Sequence, residues 1–322
     1  MPRIGLVGAG FIAGIHAERY GVIPDADVTA VYAPAGAPAL LEEHDLEARV
    51  VSSLDSLLEA VDVVDVCSPT HTHRRYVERA AEAGLDVICE KPLARTVTDA
   101  EAMVAAATEA DTRLLVGHVL RYFPGYREVR DLVADGVVGE VGTVRARRHA
   151  PFPSWGSDDW FADDDRSGGV FLDLGIHEFD FLQWCVGPIE RVFARRRNWG
   201  DHQHGHATLR FTSGAVGYIE AGWDRPPGGD LESDLEVAGD GGLLEHDGST
   251  TTLALERNGD PPEQPVAEDG YGRELRSFIR CLEDGGETLV DPTEAVEAVR
   301  VAQAANRSAE RGTPVDVAEV GP

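Results

Sequence analysis

The sequence of 322 residues contains almost no lysine: of its 29 lysine and arginine residues, only Lys91 is a lysine. Arginine can supply positive charge, but it cannot supply a compact ammonium on a flexible stem whose pKa burial can lower toward neutrality. The chain keeps this one lysine in Glu90-Lys91-Pro92, directly after a short apolar run. Lys91 is therefore the first candidate for a chemical role.

Long apolar runs and paired cysteines are also missing. No stretch reaches the roughly 18 apolar residues that a membrane-spanning helix needs. The four cysteines lie far apart and form no C-x-x-C pair, which argues against a zinc site or a disulfide framework. The first residues read as a strand without a signal peptide, so we expect a cytoplasmic protein with reduced thiols.

Positive charge is scarce compared with negative charge, and the formal net charge is −28. Such a chain would be repelled by a phosphate backbone or an anionic membrane, so neither is an expected partner. An acidic surface with almost no lysine is typical of a halophilic protein, because high salt screens the self-repulsion. An ordinary acidic cytosolic protein is the alternative, and neither interpretation identifies a reaction.

The first part of the chain alternates short runs of β-branched residues with helical patterns. Strands without polar alternation are typical of a parallel sheet that is buried on both faces, which predicts a Rossmann domain over residues 1–120 with a doubly wound parallel sheet. The predicted strands are Arg3–Val7, Val28–Val31, Ala48–Val51, Val63–Cys67, Asp86–Cys89 and Arg113–Gly117. The predicted helices are Gly10–Tyr20, Asp55–Ala60, Thr72–Ala83 and Thr98–Ala110.

The remainder, residues 121–322, predicts a second α/β domain. Its strands are joined partly by glycine-rich turns, which favours an antiparallel sheet. The predicted strands are Gly142–His149, Arg191–Arg197, His206–Phe211, Ala215–Ala221, Asp234–Ala238, Leu243–His246 and Thr251–Leu255. The predicted helices are Gly125–Ala134, one continuous helix over Gly169–Trp184, Gly272–Glu283 and Pro292–Arg311, with loops at 151–166 and 256–269.

A glycine-rich turn stands between the first strand and the first helix and fits the pattern G-x-G-x-x-G/A. Glycine permits the tight turn and the close approach of a pyrophosphate, and the helix N-terminus stabilises the anion. The alternative is a glycine-rich turn that binds nothing. The expected cofactor contacts in this turn are Gly8, Gly10, Phe11, Ile12 and Ala13.

The tip of the second strand lacks the acidic residue that would bind the ribose of NAD and reject a 2′-phosphate. Ala33 follows Tyr32 there, and no arginine nearby is placed to bind a phosphate. The choice between NAD and NADP therefore stays open.

Ligands of doubly wound sheets bind beyond the carboxyl ends of the strands, where three further segments begin. Lys91 should project into this crevice, because Pro92 fixes the turn after it. For His73, a position in a loop or a helix cap is an equal alternative to a ligand contact. The expected cofactor contacts after these strands are Ser68, Pro69, Thr70, His73, Glu90, Lys91 and Arg121.

The second domain offers a carboxylate and an imidazole at helical spacing. If residues 169–184 form one helix, Asp173, His177 and Asp180 lie at i, i+4 and i+7 on a single face. A carboxylate one turn away can orient an imidazole and raise its basicity, which would allow His177 to accept a proton near neutral pH. The alternative is a buried polar cluster that only fixes the helix.

Taken together, the glycine turn at Gly8–Ala13, Glu90-Lys91-Pro92, and Gly168-Gly169 followed by Asp173 and His177 resemble the motifs of the Gfo/Idh/MocA family of NAD(P)-dependent oxidoreductases. The resemblance covers nearly the whole chain. It implies a Rossmann domain and an α/β domain with a large, mostly antiparallel open sheet. Arg121-Tyr122-Phe123-Pro124 resembles the family's segment between the domains, and the last helix is expected to pack back on the first domain.

The resemblance also implies a reaction: hydride transfer between NAD or NADP and the CH–OH group of a sugar, an inositol or a related polyol. It assigns catalysis to Lys91, Asp173 and His177. His177 would take the hydroxyl proton, Lys91 would stabilise the alkoxide, and Asp173 would orient both. Some branches of the family assign the proton transfer to the lysine or to a tyrosine, so the base is open. Association into a homodimer or homotetramer through the open sheet is implied as well.

The substrate itself is unidentified. The aromatic and acidic loop after residue 151 is expected to line its entrance. The residues expected to contact substrate are Tyr122, Trp155, Trp160 and Arg166, with packing between the domains as the alternative for Arg121 and Tyr122.

Other functions remain in competition with a dehydrogenase. A regulator on the same fold would bind NAD(P) without turnover, and the family's NAD-assisted glycoside-cleaving branch would show no net change in NADH. Loss of the lysine or the histidine would mark the regulator, and both are present here. His202, His204 and His206 would share one face of a strand and could bind zinc, but a solvated hairpin edge explains them adequately. No metal is expected in the reaction.

Overall fold

The computed structural model describes residues 1–248, 252–256, 264–265 and 269–321. Within these residues the N-terminal sheet has six strands, all paired in parallel. They are Arg3–Val7 (β1), Asp27–Tyr32 (β2), Arg49–Val50 (β3), Val63–Val66 (β4), Asp86–Glu90 (β5) and Leu114–Gly117 (β6). Their order, β3-β2-β1-β4-β5-β6, is that of a doubly wound dinucleotide-binding sheet, which confirms the predicted fold class.

Five helices cover this sheet: Phe11–Tyr20 (α1), Ala37–Glu43 (α2), Leu54–Leu58 (α3), His73–Glu82 (α4) and Val97–Glu109 (α5). The second of them was not predicted. Its first turn contains Pro38, which usually signals a turn, but proline is tolerated at the first positions of a helix because the amide it lacks has no intrahelical partner there.

The second sheet is mixed and mostly antiparallel, as predicted. In the part of the chain that the structure describes, its order is β14-β13-β12-β11-β7-β10-β9-β8-β15, and β10 and β7 form the parallel pair. The strands are Val141–Pro151 (β7), Ile189–Trp199 (β8), His202–Phe211 (β9), Val216–Arg225 (β10), Glu232–Gly239 (β11), Gly242–Asp247 (β12), Thr252–Glu256 (β13), Gln264–Pro265 (β14) and Val315–Asp316 (β15). Residues 251, 257–263 and 266–268, which include most of the predicted 256–269 loop, lie outside the described residues.

The helices of the second half are Pro124–Ala134 (α6), Asp164–Ser167 (α7), Gly169–Asp173 (α8), Ile176–Val186 (α9), Gly270–Asp284 (α10) and Pro292–Arg311 (α11). The prediction of one helix over 169–184 was wrong, because the chain breaks between α8 and α9. Gly175 packs so closely on the sheet at this break that a Cβ would lie 3.3 Å from that of Ala221 and 3.1 Å from the carbonyl oxygen of Phe171.

The last helix, α11, contacts both sheets. Ser308 accepts a hydrogen bond from the amide of Ala194 in β8 (2.9 Å). On the other side Arg300 forms an ion pair with Glu101 of α5 (2.8 Å), and Gln303 donates to the carbonyl of Arg95 (2.9 Å). Residues 292–311 therefore tie the second sheet to the first. No helix within the described ranges combines the length and the apolar character that crossing a bilayer requires.

A buried arginine joins the two halves of the molecule. Arg121 follows β6 and is 1% exposed. Its guanidinium donates to both carboxylate oxygens of Asp180 in α9 (2.6 and 3.0 Å) and also bonds Glu294 in α11 and the carbonyl of Leu289. Asp180, Leu289 and Glu294 already take up its donors, so Arg121 packs between the domains, which is the alternative to the expected cofactor contact.

Tyr122 is not a substrate contact either. Its side chain is buried at the edge of Phe278, and its hydroxyl accepts a hydrogen bond from the amide of Leu289 (3.3 Å). It belongs to the packing between the domains.

Replacing Arg121 with methionine should destabilise the protein strongly, because Asp180 would keep a buried charge without its partner. We expect the free energy of unfolding to fall by about 3–5 kcal/mol, measured by urea denaturation. Arg74→Met is the matched control: Arg74 forms half-exposed pairs with Glu78 and Asp99, whose loss should cost about 0–1 kcal/mol. Equal losses in the two variants would contradict this role.

Candidate active site

The glycine turn has the shape that a pyrophosphate requires. Gly8 has φ +120°, and a Cβ there would lie 2.6 Å from the carbonyl oxygen of Cys67, so only glycine fits. Gly10 is exposed at the start of α1, and a Cβ built on it meets nothing within 4 Å. The first amides of α1 have no intrahelical acceptor. Open space in front of unpaired amides fits the binding of a dinucleotide phosphate.

His73 joins two loops of the crevice. Its Nε2 lies 2.8 Å from the carbonyl oxygen of Ser68, after β4, and its Nδ1 lies 3.0 Å from that of Pro92, after β5. Both ring nitrogens are thus occupied and the side chain is buried, so at the start of α4 His73 holds the two loops together, which fits the helix-cap alternative. Thr70 is also buried, and Ser68 shares a hydrogen bond with Thr72 (2.7 Å).

Lys91 reaches from the first sheet to the second domain. Its Nζ donates to the main-chain oxygen of Asp173 at the end of α8 (2.7 Å) and lies 3.6 Å from the Asp173 carboxylate. The two side chains are 16% and 13% exposed, so they border the crevice without being sealed. Burial raises the pKa of Asp173, and the neighbouring ammonium of Lys91 opposes that rise.

His177 stands in the first turn of α9, and its Nδ1 is buried without a hydrogen-bond partner among the described residues. Its pKa is well below that of an ordinary histidine, because of burial first and the positive charges of Lys91 and Arg148 next. The expectation that Asp173 raises the basicity of His177 was therefore wrong. The arrangement gives a neutral imidazole at neutral pH.

Asp180 does not join this pair. The break at Gly175 separates it from Asp173, and its carboxylate is bound to Arg121 and lies 3.7 Å from Nδ1 of His118. For Asp180 the alternative of a buried polar cluster is correct.

A second buried ion pair lies next to His177. Arg148 in β7 donates to Glu178 of α9 (2.7 Å) and to the hydroxyl of Tyr126 (3.2 Å), and both charged side chains are buried. Sequence reasoning missed this pair. A signal was present, since Arg148 continues the buried alternation of Val144 and Ala146 with a charged residue.

A further buried network anchors the backbone of Lys91. Glu90 accepts a hydrogen bond from the Lys91 amide (3.2 Å), and its other oxygen lies 3.1 Å from Nε2 of His16. Nδ1 of His16 lies 2.8 Å from Asp65 of β4. Glu274 is fully buried close to this group, and burial together with the charge of Glu90 raises its pKa well above the usual value. The side chain of Glu90, which was expected to contact the cofactor, therefore faces the interior of the protein.

The loop after residue 151 faces the glycine turn. The ring of Trp155, 56% exposed, lies 5.0 Å from that of Phe11, so the two rings approach each other across the crevice. Trp160 is buried against Phe161 (3.8 Å between centroids), so it supports the loop. Arg166 donates to the carbonyl of Asp158 within the same loop (3.1 Å).

The three alternating histidines of β9 do not converge. His202 contacts the carbonyl of Trp223 and stacks on Trp199, whereas His206 stacks on Tyr218. His204 instead faces the carboxylate of Asp224 on a neighbouring strand.

Two family profiles match most of the chain. The profile described as an oxidoreductase family with an NAD-binding Rossmann fold matches residues 2–118. The profile described as a GFO/IDH/MocA C-terminal domain matches residues 126–245.

Named relatives match along nearly the whole length. Myo-inositol 2-dehydrogenase of Thermotoga maritima is 31% identical, covering 99% of each chain. D-xylose 1-dehydrogenase (NADP(+)) 2 of Haloferax volcanii is 29% identical, covering 82% of this chain and 84% of the relative. A solved structure of a protein from gentamicin A biosynthesis in complex with NAD is 28% identical, with a TM-score of 0.87 and coverage of 98% and 97%.

The electrostatics of His177 can be tested directly. Lys91→Met should raise the pKa of His177, because it removes a positive charge that disfavours the imidazolium. The measurement is an NMR titration of the His177 ring. Arg127→Met, which removes an exposed charge on α6, should leave the titration unchanged. An unchanged pKa in Lys91→Met would show that the two groups are not coupled.

Proposed function

The chain belongs to the Gfo/Idh/MocA family of NAD(P)-binding oxidoreductases, and we propose that it transfers a hydride between a nicotinamide dinucleotide and the CH–OH group of a sugar, an inositol or a related polyol. One observation carries the proposal: Lys91 Nζ contacts the carbonyl of Asp173 across the crevice, with His177 at the start of the next helix. The named relatives, which act on an inositol and a pentose, support the substrate class.

The cofactor would be held by the turn between β1 and α1. Gly8 and Gly10 leave room for the pyrophosphate, and the amides at the start of α1 face it. The loop at 68–70 and the side chain of Lys91 would border the rest of the crevice. When bound, the nicotinamide ring supplies the hydride acceptor that no side chain can provide.

The roles of the side chains follow from their charge states. His177 is neutral at neutral pH because its pKa is lowered, so its imidazole is free to accept the proton of a substrate hydroxyl. The ammonium of Lys91 can donate a hydrogen bond to the same oxygen and stabilise the negative charge that develops on it. Asp173 holds the ammonium in place through its main-chain oxygen and its carboxylate. We assign the proton transfer to His177, with Lys91 as the alternative.

The proposal also includes association through the open sheet and activity in high salt. The open face of the second sheet, opposite the helices, would form the contact between copies in a homodimer or homotetramer. The net charge of −28 and the single lysine favour activity in high salt, where screening reduces self-repulsion.

The function is tested by following NAD(P)H absorbance with a panel of sugars, inositols and diols in low and high salt. On the substrate that reacts, Lys91→Ala should lower kcat/KM by about 10²–10⁴-fold, because the alkoxide loses its charged donor. Binding of NAD(P) should stay largely intact. Arg127→Ala, on the exposed face of α6, serves as the matched control and should react normally.

Three outcomes would count against the proposal. A near-normal rate in Lys91→Ala would remove the lysine from the chemistry. Product formation without net NAD(P)H would favour the glycoside-cleaving type of reaction. Tight cofactor binding without turnover of any panel member would favour a regulator.

Cofactor choice depends on the tip of β2. Ala33 provides no carboxylate to repel a 2′-phosphate, so we propose that the crevice accepts both dinucleotides. Ala33→Asp should raise the ratio of kcat/KM for NAD to that for NADP by about tenfold or more, since opposed like charges cost several kcal/mol. Ala35→Asp, further along the exposed loop, should change the ratio much less. Equal shifts in both variants would point to a general effect of charge.

A further inference from the structure

The open face of the second sheet carries a compact group of two imidazoles and two carboxylates. Nδ1 of His149 in β7 lies 2.9 Å from one oxygen of Asp224, and Nδ1 of His204 in β9 lies 2.8 Å from the other. Nε2 of His149 lies 3.6 Å from Glu220, two residues before Gly222 in β10. The crevice described above uses none of these side chains.

The sheet itself brings these side chains together. Gly222 of β10 pairs with His149 on one neighbouring strand and with His204 on the other. The carboxylate of Asp224 folds back over Gly222, where a Cβ would lie 2.7 Å from its nearest oxygen. Glycine at position 222 therefore makes the space in which one carboxylate stands between two imidazoles.

The hydrogen bonds of this group converge on Asp224, because each of its two carboxylate oxygens faces the Nδ1 atom of one imidazole. A neutral imidazole has one N–H, yet His149 faces a carboxylate at each ring nitrogen. Two neutral imidazoles that donate their Nδ1 protons to Asp224 satisfy the arrangement, and so does a metal ion at Nδ1 with the Nε2 proton directed to Glu220. The second arrangement is common for metal-bound histidines, whose other nitrogen donates to a carboxylate.

The contact of Tyr218 with Glu220 and the exposure of His204 fit the arrangement with a metal ion. The hydroxyl of Tyr218 donates to Glu220 (2.6 Å) and orients its carboxylate. His204 is 32% exposed in the single chain, so an ion can enter from solvent before copies associate through this face. The three ligand atoms, from His149, His204 and Asp224, lie within 4.8 Å of one another. Ligand atoms at about 2.0–2.1 Å from a tetrahedral ion are about 3.3 Å apart, and this spacing lies within that range.

We propose that His149, His204 and Asp224 form a structural binding site for a divalent transition-metal ion such as Zn²⁺, with Glu220 as the hydrogen-bond partner of His149. Two imidazoles and one carboxylate favour zinc or its neighbours over magnesium or calcium, which prefer oxygen ligands. The ion would fasten β9, β10 and β7 together on the face away from the crevice. All three ligands come from one chain, and the site does not depend on the proposed function.

The test uses the full-length protein without an affinity tag, stripped with a chelator and titrated with Zn²⁺ against a chromophoric competitor. We expect one Zn²⁺ per chain and a rise in Tm on binding, because the ion binds the folded state. His204→Asn and Asp224→Asn should abolish this stoichiometric binding. Glu220→Gln should weaken it by about 10–100-fold, as expected of a residue that orients a ligand.

His206→Asn is the matched control, since His206 lies on the same strand and face but stacks on Tyr218. It should bind Zn²⁺ like the parent protein. Gly222→Ala is a second route to the same test: it keeps every ligand but displaces the Asp224 carboxylate, and it should lose the ion while retaining the far-UV circular dichroism spectrum of the fold.

Two results would overturn the proposal. One is Zn²⁺ binding that survives in His204→Asn and Gly222→Ala, which would place the ion elsewhere. The other is an absence of one-to-one Zn²⁺ binding to the parent protein. That result would assign the group to hydrogen bonding between the two imidazoles and Asp224.

Discussion

The relative placement of the two halves depends on the buried guanidinium of Arg121. A charge removed from water is tolerated only when partners compensate it, and here Asp180 of α9 and Glu294 of α11 do so together. This requirement fixes where α9 begins relative to the first sheet. His177 lies one turn before Asp180, so the same contact sets the position of the imidazole across from Lys91.

Features that depend on local sequence could be predicted. The six parallel strands, the glycine turn and the place of Lys91 follow from apolar runs, glycine positions and the order of strand and helix. Features that depend on distant partners could not. At the helix break, Gly175 packs closely against Ala221, 46 positions later in the sequence. The partners of Arg121 lie 59 and 173 residues away, and nothing near Arg121 in the sequence indicates that its donors are taken.

The charge states of the side chains in the crevice could not be predicted from the sequence either, because they depend on burial. Spacing alone favoured a basic His177 beside Asp173, whereas burial and nearby cations lower its pKa. Behind Lys91, the chain of contacts from Glu90 through His16 to Asp65 places ionisable groups where they are shielded from solvent. Such groups are costly to bury, and their contribution is to hold the backbone of Lys91 in one position.

The position of helix α11 has a consequence for the folding of the nascent chain. Residues 292–311 cover α5 and β6 of the first sheet, although they are translated long after these elements. Until then, the nascent N-terminal half exposes the apolar surface that α11 covers in the folded protein. Its folding is therefore completed only after α11 has been translated, and a product that stops before residue 292 would leave exposed a surface on which aggregation can begin.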